Sequence, residues 1–241
     1  MLEQMFRNMT PVVKNLLIIN VLVFLVTLIL KSRGLDLNGY LALHHYTSPD
    51  FQPYQFVTSI FAHGSFFHLL ANMLGLVSFG SQLENYIGSK KFLILYAAAG
   101  LAGNAVYILT HIVELYFYGA SLGVSYEVLN SDTIQFIGDL NSQYKQEVAG
   151  VLLSSALGAS GAVFGVFAAI YKYFPSTEVM LLFPPIPVKI KWLFAILMIG
   201  SLVLTFFPFA MQGIAHMAHF GGGLAGLILV YIWQKDRTNF Y

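Results

Sequence analysis

Five side chains sit inside long apolar runs and have the chemistry to act there: His68, Asn72, Ser160, His216 and His219. Polar and ionisable groups at membrane depth are costly and mark functional sites. A serine hydroxyl is a weak nucleophile until a base takes its proton. Histidine, with an unperturbed pKa of about 6.5, suits that task. Ser160 and His219 together therefore point to covalent acyl transfer. Such a reaction needs donors where negative charge develops on the carbonyl oxygen. The backbone N–H of Ser160 at a helix start is one candidate, and the side chains of His68 and Asn72 are two more. His68 and Asn72 are spaced i and i+4, so they share a helix face. No acidic residue lies near His219 in the sequence, which predicts a dyad rather than a triad.

The elements that must position these groups are membrane helices. The 241-residue chain is 57% hydrophobic and only 10% charged, against about 25% charged residues in a soluble domain. So little charge cannot cover a water-exposed surface, and lipid must be much of the solvent. No basic stripe points to nucleic acid. The absence of cysteine excludes disulfides and thiolate chemistry. Runs long enough to span fall at roughly 13–31, 65–84, 91–111, 156–174, 190–208 and 213–233. The first is followed by Lys31-Ser32-Arg33 with no small-residue cleavage signal, so it reads as a retained span. The whole reads as an all-α, six-helix polytopic membrane protein with one domain over 1–241. Short cytoplasmic tails are expected at 1–12 and 234–241.

Lys and Arg distribution orients the bundle. With the N-terminus in the cytoplasm, Arg7, Lys14, Lys90, Lys91, Lys172, Lys189, Lys191, Lys235 and Arg237 face inward; Lys31, Arg33 and Lys145 face outward. The second, fourth and sixth spans then run from outside to inside. His68 and Asn72, Ser160, and His219 all fall near the outer ends of those spans, and scattered structural residues would not agree in depth. Gly158-Ala159-Ser160-Gly161 flanks the serine with glycine, and Gly161/Gly165 and Gly222/Gly226 are two GxxxG pairs that let membrane helices pack closely. Outer residues 32–62 read as short interfacial helices. The segment 112–155 reads as a long outer loop without an assigned role. Residues 182–187, with three prolines, read as a stiff turn.

Each residue has a plainer reading alone. A membrane serine usually bonds back to its own helix, and Asn72 would serve as interhelical glue. His63 and Glu84 fit structural hydrogen bonds, and His216 fits a bystander near the interface. The combination at one depth lifts the catalytic reading above these. An intramembrane metalloenzyme built on His63, His68, His216 and His219 lacks a His-Glu-x-x-His motif or a carboxylate partner. A transporter would show a symmetric pair of broken helices.

The chain resembles the rhomboid family of intramembrane serine proteases. The resemblance rests on His68-Leu69-Leu70-Ala71-Asn72, Gly158-Ala159-Ser160-Gly161, and Ala218-His219 followed by Gly222 and Gly226. Thr58 through His63, Glu84, Gly88 and Phe183-Pro184-Pro185 add to it. It implies Ser160 as nucleophile, His219 as general base, and His68, Asn72 and the Ser160 amide as the oxyanion hole. Phe164 would pack beside the histidine. The resemblance further implies single-span membrane-protein substrates, no metal or cofactor, and a six-helix bundle with a water-filled outer cavity. A compact bacterial form in the inner membrane is expected. Tyr54-Gln55 stands where many relatives carry Trp-Arg. A non-catalytic binder of this shape would typically have lost the serine or the histidine, and both are present.

Overall fold

The computed structural model describes residues 9–122, 148–180, 185–205 and 215–238. Eight α-helices are present among them: α1 (Pro11–Lys31), α2 (Leu37–Leu41), α3 (Gln55–Thr58), α4 (Phe66–Ile87), α5 (Ser89–Leu122), α6 (Ser160–Tyr173), α7 (Ile190–Thr205) and α8 (His216–Thr238). Residues 148–152 add a further helical turn. Two antiparallel pairs of very short strands complete the fold. β1 (Leu43–His44) pairs with β2 (Ser155–Ala156), and β3 (Glu178–Met180) with β4 (Pro187–Lys189). The protein is thus an all-α polytopic membrane protein.

Among the described residues, four helices are long and apolar enough to cross a membrane: α1, α4, α5 over Ser89–Phe117, and α8 over His216–Lys235. α6 and α7 are shorter. The 14 residues of α6 rise about 21 Å, less than a hydrocarbon core of about 30 Å. The expected fourth span at 156–174 therefore starts late: β2 and a loop occupy 156–159, and Ser160 is the first helical residue. The opposite correction applies to α5. Its apolar run fades near residue 111, yet the helix continues to Leu122. Residues 112–122, expected in a loop, are helical, because a helix can leave the bilayer without losing its backbone ladder. The 34 residues of α5 span about 51 Å. Helix reaches into the stretches expected as tails, with α1 starting at Pro11 and α8 described as far as Thr238. The interfacial helices expected over 32–62 are α2 and α3, with a 3-10 turn at Ser59–Phe61. The strand β1 between them was not expected. The 123–147 part of the outer segment and Leu182, Phe183 and Pro184 lie outside the described residues.

Glu84 closes the bundle at the end opposite Ser160. Its carboxylate is buried. It accepts from the Val12 N–H (3.1 Å) and the Val13 N–H (3.0 Å), and from the Ser89 hydroxyl (2.7 Å). Pro11 at the first position of α1 has no N–H to offer, and Thr10 makes no side-chain cap. A carboxylate from α4 thus caps α1 and holds the start of α5, satisfying amides that α1 leaves open. Glu84→Ala should cost about 1–3 kcal/mol by stranding the buried Val13 N–H and uncapping α1, and Glu84→Gln less. Thermal unfolding in detergent measures this; an unchanged midpoint in Glu84→Ala contradicts the assignment.

Candidate active site

Ser65 begins the construction. Its hydroxyl accepts from the His68 N–H at 3.1 Å, an N-cap that starts α4 and sets His68 in its first turn. One turn on, Asn72 is buried and donates to the His68 carbonyl at 3.0 Å. Both side chains converge on Gly158. Its φ of +128° is one that L side chains rarely adopt, and a Cβ there would lie 2.6 Å from the His68 ring and 3.7 Å from Asn72 Nδ2. Glycine at 158 is what lets the His68 ring reach the nucleophile loop.

Ser160 and His219 are brought together by close backbone contact between α6 and α8. A Cβ on Gly222 would lie 2.6 Å from the Gly161 carbonyl carbon, and one on Gly226 would lie 2.7 Å from Gly165 Cα. On that contact Ser160 Oγ lies within hydrogen-bonding distance of His219 Nε2, at 2.8 Å. Phe164, one turn below Ser160, stacks on the His219 ring at 4.5 Å and 11°. His216 lies edge-on to His219 at 6.2 Å. Ser160 and His219 remain partly accessible because a cavity of about 790 Å³ opens onto them. Its polar lining includes His68, Asn72, Ser155, Ser160 and His219, and its apolar lining includes Ala71, Val163, Phe164, Phe167 and Leu197. Of the residues singled out from the sequence, His68, Asn72, Ser160, Phe164 and His219 line this cavity, whereas Gly158, Gly161, His216 and Gly222 are not part of its lining. Among the described residues, no three His, Asp or Glu side chains are grouped to hold a metal ion.

The loop before Ser160 is held by residues that sequence reasoning undervalued. Gly158 N–H donates to the Ser59 carbonyl at 2.8 Å. Ala159 N–H donates to His63 Nε2 at 3.4 Å, so His63 makes the structural bond anticipated for it. Ser59 is itself held by Asn104, whose Nδ2 donates to Ser59 Oγ and to the Phe56 carbonyl, both at 2.8 Å. Asn104 is a polar group inside an apolar run. That signal was legible, but it falls on a helix outside the three compared for depth.

Gln55 answers the question posed by the missing Trp-Arg. It is buried, donates to the carbonyls of Tyr40 (3.3 Å) and Asp50 (2.8 Å), and accepts from the N–H groups of His44 (3.3 Å) and Gln52 (3.1 Å). All four hydrogen-bonding positions of its amide are used, and the segment between α1 and α4 folds around it.

The rhomboid domain model matches residues 50–235 of this chain. The chain belongs to the rhomboid family. Known relatives of this rhomboid include the human presenilin-associated rhomboid-like protein, mitochondrial (27% identical over 202 residues, covering 75% of this chain and 42% of that protein). Rhomboid protein 1, mitochondrial, of Saccharomyces cerevisiae is 27% identical over 184 residues, 76% of this chain and 42% of its own length. RHOMBOID-like protein 12, mitochondrial, of Arabidopsis thaliana is 26% identical over 232 residues, 95% and 60% respectively. The chain thus spans between two fifths and three fifths of these relatives. All three are named as mitochondrial, against the bacterial inner membrane anticipated for this rhomboid.

Two histidines outside the spans tie stability to pH. Burial pushes His45 down to about 4. Burial, with a smaller contribution from neighbouring His68, pushes His63 down to about 4 against an opposing hydrogen bond to the Phe61 backbone. Both fold neutral, whereas the unfolded chain takes up protons below about 6.5. Their stabilisation is therefore complete above pH 6.5 and is lost as pH falls toward 4. The unfolding midpoint should drop over that range, and drop less in the His45→Gln, His63→Gln chain; equal slopes contradict this. Gly222→Ala should separate α6 from α8 and lower the midpoint at every pH, because the added methyl meets backbone, which cannot turn aside.

Proposed function

We propose that this rhomboid is an intramembrane serine endopeptidase that cleaves single-span membrane proteins through a Ser160–His219 dyad. The observation that carries the reading is the 2.8 Å hydrogen bond from Ser160 Oγ to His219 Nε2 on a cavity wall. His219 Nε2 takes the hydroxyl proton as Ser160 Oγ bonds to the scissile carbonyl carbon. Negative charge then gathers on the carbonyl oxygen beside His68, Asn72 and the Ser160 N–H. Collapse breaks the C–N bond, and His219 gives its proton to the departing amine. Water, deprotonated by His219, attacks the acyl-enzyme and restores the serine.

The site's depth sets the substrate class. The helical part of α6 is shorter than the hydrocarbon core, the rest of its path being the loop before Ser160, and the cavity opens at its start, so in this reading water reaches Ser160 below the lipid surface. The distribution of Lys and Arg supports a bundle of six spanning helices with both termini cytoplasmic and the cavity open to the outer side. A helical peptide bond is shielded by its own hydrogen bonds, so the substrate must unwind near the cut. Glycine or small residues there favour cleavage. The apolar cavity wall fits membrane-segment side chains, and the reaction needs no metal or cofactor.

Ser160→Ala should abolish cleavage of a reconstituted transmembrane substrate, a loss on the order of 10⁴-fold or more in kcat, while the chain stays folded. A fluorophosphonate should label Ser160 and fail to label the His219→Ala chain. Asn72→Ala should lower kcat by roughly 10²-fold. Cleavage that persists in purified Ser160→Ala would sink the proposal. Activity should also fall on acidification as His219 takes up a proton and can no longer accept one from Ser160.

A further inference from the structure

One face of α5 carries polar side chains that the dyad does not use. Asn104, Tyr107 and His111 are spaced i, i+3 and i+7, so they lie along a single stripe. Asn104 holds Ser59, whose carbonyl receives the Gly158 N–H. Tyr107 and His111 act at the other end of the same loop. The Tyr107 hydroxyl lies 3.0 Å from Ser154 Oγ, and His111 Nδ1 lies 3.4 Å from it. Ser154 Oγ–H donates to the Val151 carbonyl at 2.8 Å. A hydroxyl has one proton to give and two lone pairs to fill. Ser154 therefore accepts from the Tyr107 O–H and from His111 Nδ1–H, and its hydrogen-bonding capacity is full.

Ser154 stands where the loop to the nucleophile starts. Ser155 and Ala156 next form β2 and pair with His44 and Leu43, then Gly158 and Ala159 are tied by Ser59 and His63, and Ser160 follows. The Tyr107 ring is buried in one apolar cluster with Leu43, Ala156 and Ala218. Ala156 lies in the segment leading to Ser160, and Ala218 precedes His219. Tyr107 thus sits between the strand that leads to the nucleophile and the helix that carries the base. A phenylalanine would fill the same space and keep the ring contact with His111, at 4.1 Å. The hydroxyl costs desolvation in a buried site unless it is bonded, and its bond goes to Ser154.

We propose that Tyr107, acting through Ser154, is a positioning residue that sets the place of the Ser160 hydroxyl relative to His219. The inference rests on the protease reading above. Loss of the bond leaves the fold in place and lets the loop start shift, and small misplacements of a nucleophile are expensive in rate. Binding of a reagent in the cavity does not depend on it.

The test uses the full chain in detergent, with a fluorophosphonate as probe and the saturation kinetics of labelling as readout. Tyr107→Phe and Ser154→Ala should each lower the maximal labelling rate by about five- to twentyfold. Half-saturation should stay within about twofold in both, and the unfolding midpoint of Tyr107→Phe should be nearly unchanged. Because both residues act through one hydrogen bond, the double variant should be no slower than the slower single. Ser154→Thr, which keeps a hydroxyl, should restore most of the rate. An unchanged maximal rate in Tyr107→Phe overturns the inference, as do single effects that multiply in the double variant, or a rate loss matched by a large fall in the midpoint. If the unsubstituted chain takes no label at Ser160, the protease reading falls and this inference with it. A labelled parent with an unaffected Tyr107→Phe chain overturns the inference alone.

Discussion

The approach of α6 to α8 through facing glycines governs the rest of the molecule. Lipid tails are as apolar as leucine, so membrane helices gain little from hiding apolar surface from one another and must bind by close packing. Gly161 and Gly165 on α6 meet Gly222 and Gly226 on α8 at distances no side chain permits. That contact carries His219 to within a hydrogen bond of Ser160 and stacks Phe164 on its ring. Gly103 on α5 joins the same contact, since a Cβ there would lie 2.6 Å from the Ala218 carbonyl. Three helices are therefore locked at the level of the proposed dyad.

The bundle divides its work between its two ends. At one end the buried Glu84 carboxylate joins α1, α4 and α5. At the other, α6 begins late, and the space it leaves becomes the cavity. The wall of that cavity is a loop, and a loop in this position would be loose without anchors. Its anchors come from the segment between α1 and α4 (Ser59, His63 and the strand β1) and from α5. Gln55 in turn ties that segment together. The scaffold beneath Ser160 is thus assembled largely from residues outside the proposed dyad.

His63 joins positioning to protonation. As a buried neutral imidazole it can receive the Ala159 N–H, and burial is also what keeps it neutral. Acid removes both properties together. The base proposed for His219 must likewise be neutral, so the proposed site stands on a frame that weakens in the same direction of pH.

Much of this was legible in the sequence. Hydropathy and charge marked the membrane class, and the depth of His68, Asn72, Ser160 and His219 on alternate helices marked the site, because both depend on residue type and helical spacing alone. The spacing of Gly161, Gly165, Gly222 and Gly226 foretold close packing. The late start of α6 and the persistence of α5 past residue 111 were not legible. Hydropathy reports where lipid is tolerated, whereas a helix ends where its backbone bonds find other partners. Nor were the partners of Gln55, Asn104, Tyr107 and His111, which lie at sequence separations of up to 48 residues or in loops without periodicity. The sequence by itself determined which groups would be costly to bury and on which helix faces they stand. Only the tertiary structure decided which of them meet, because the contact between α6 and α8 and the tethers of the 154–160 loop join segments that no local rule relates.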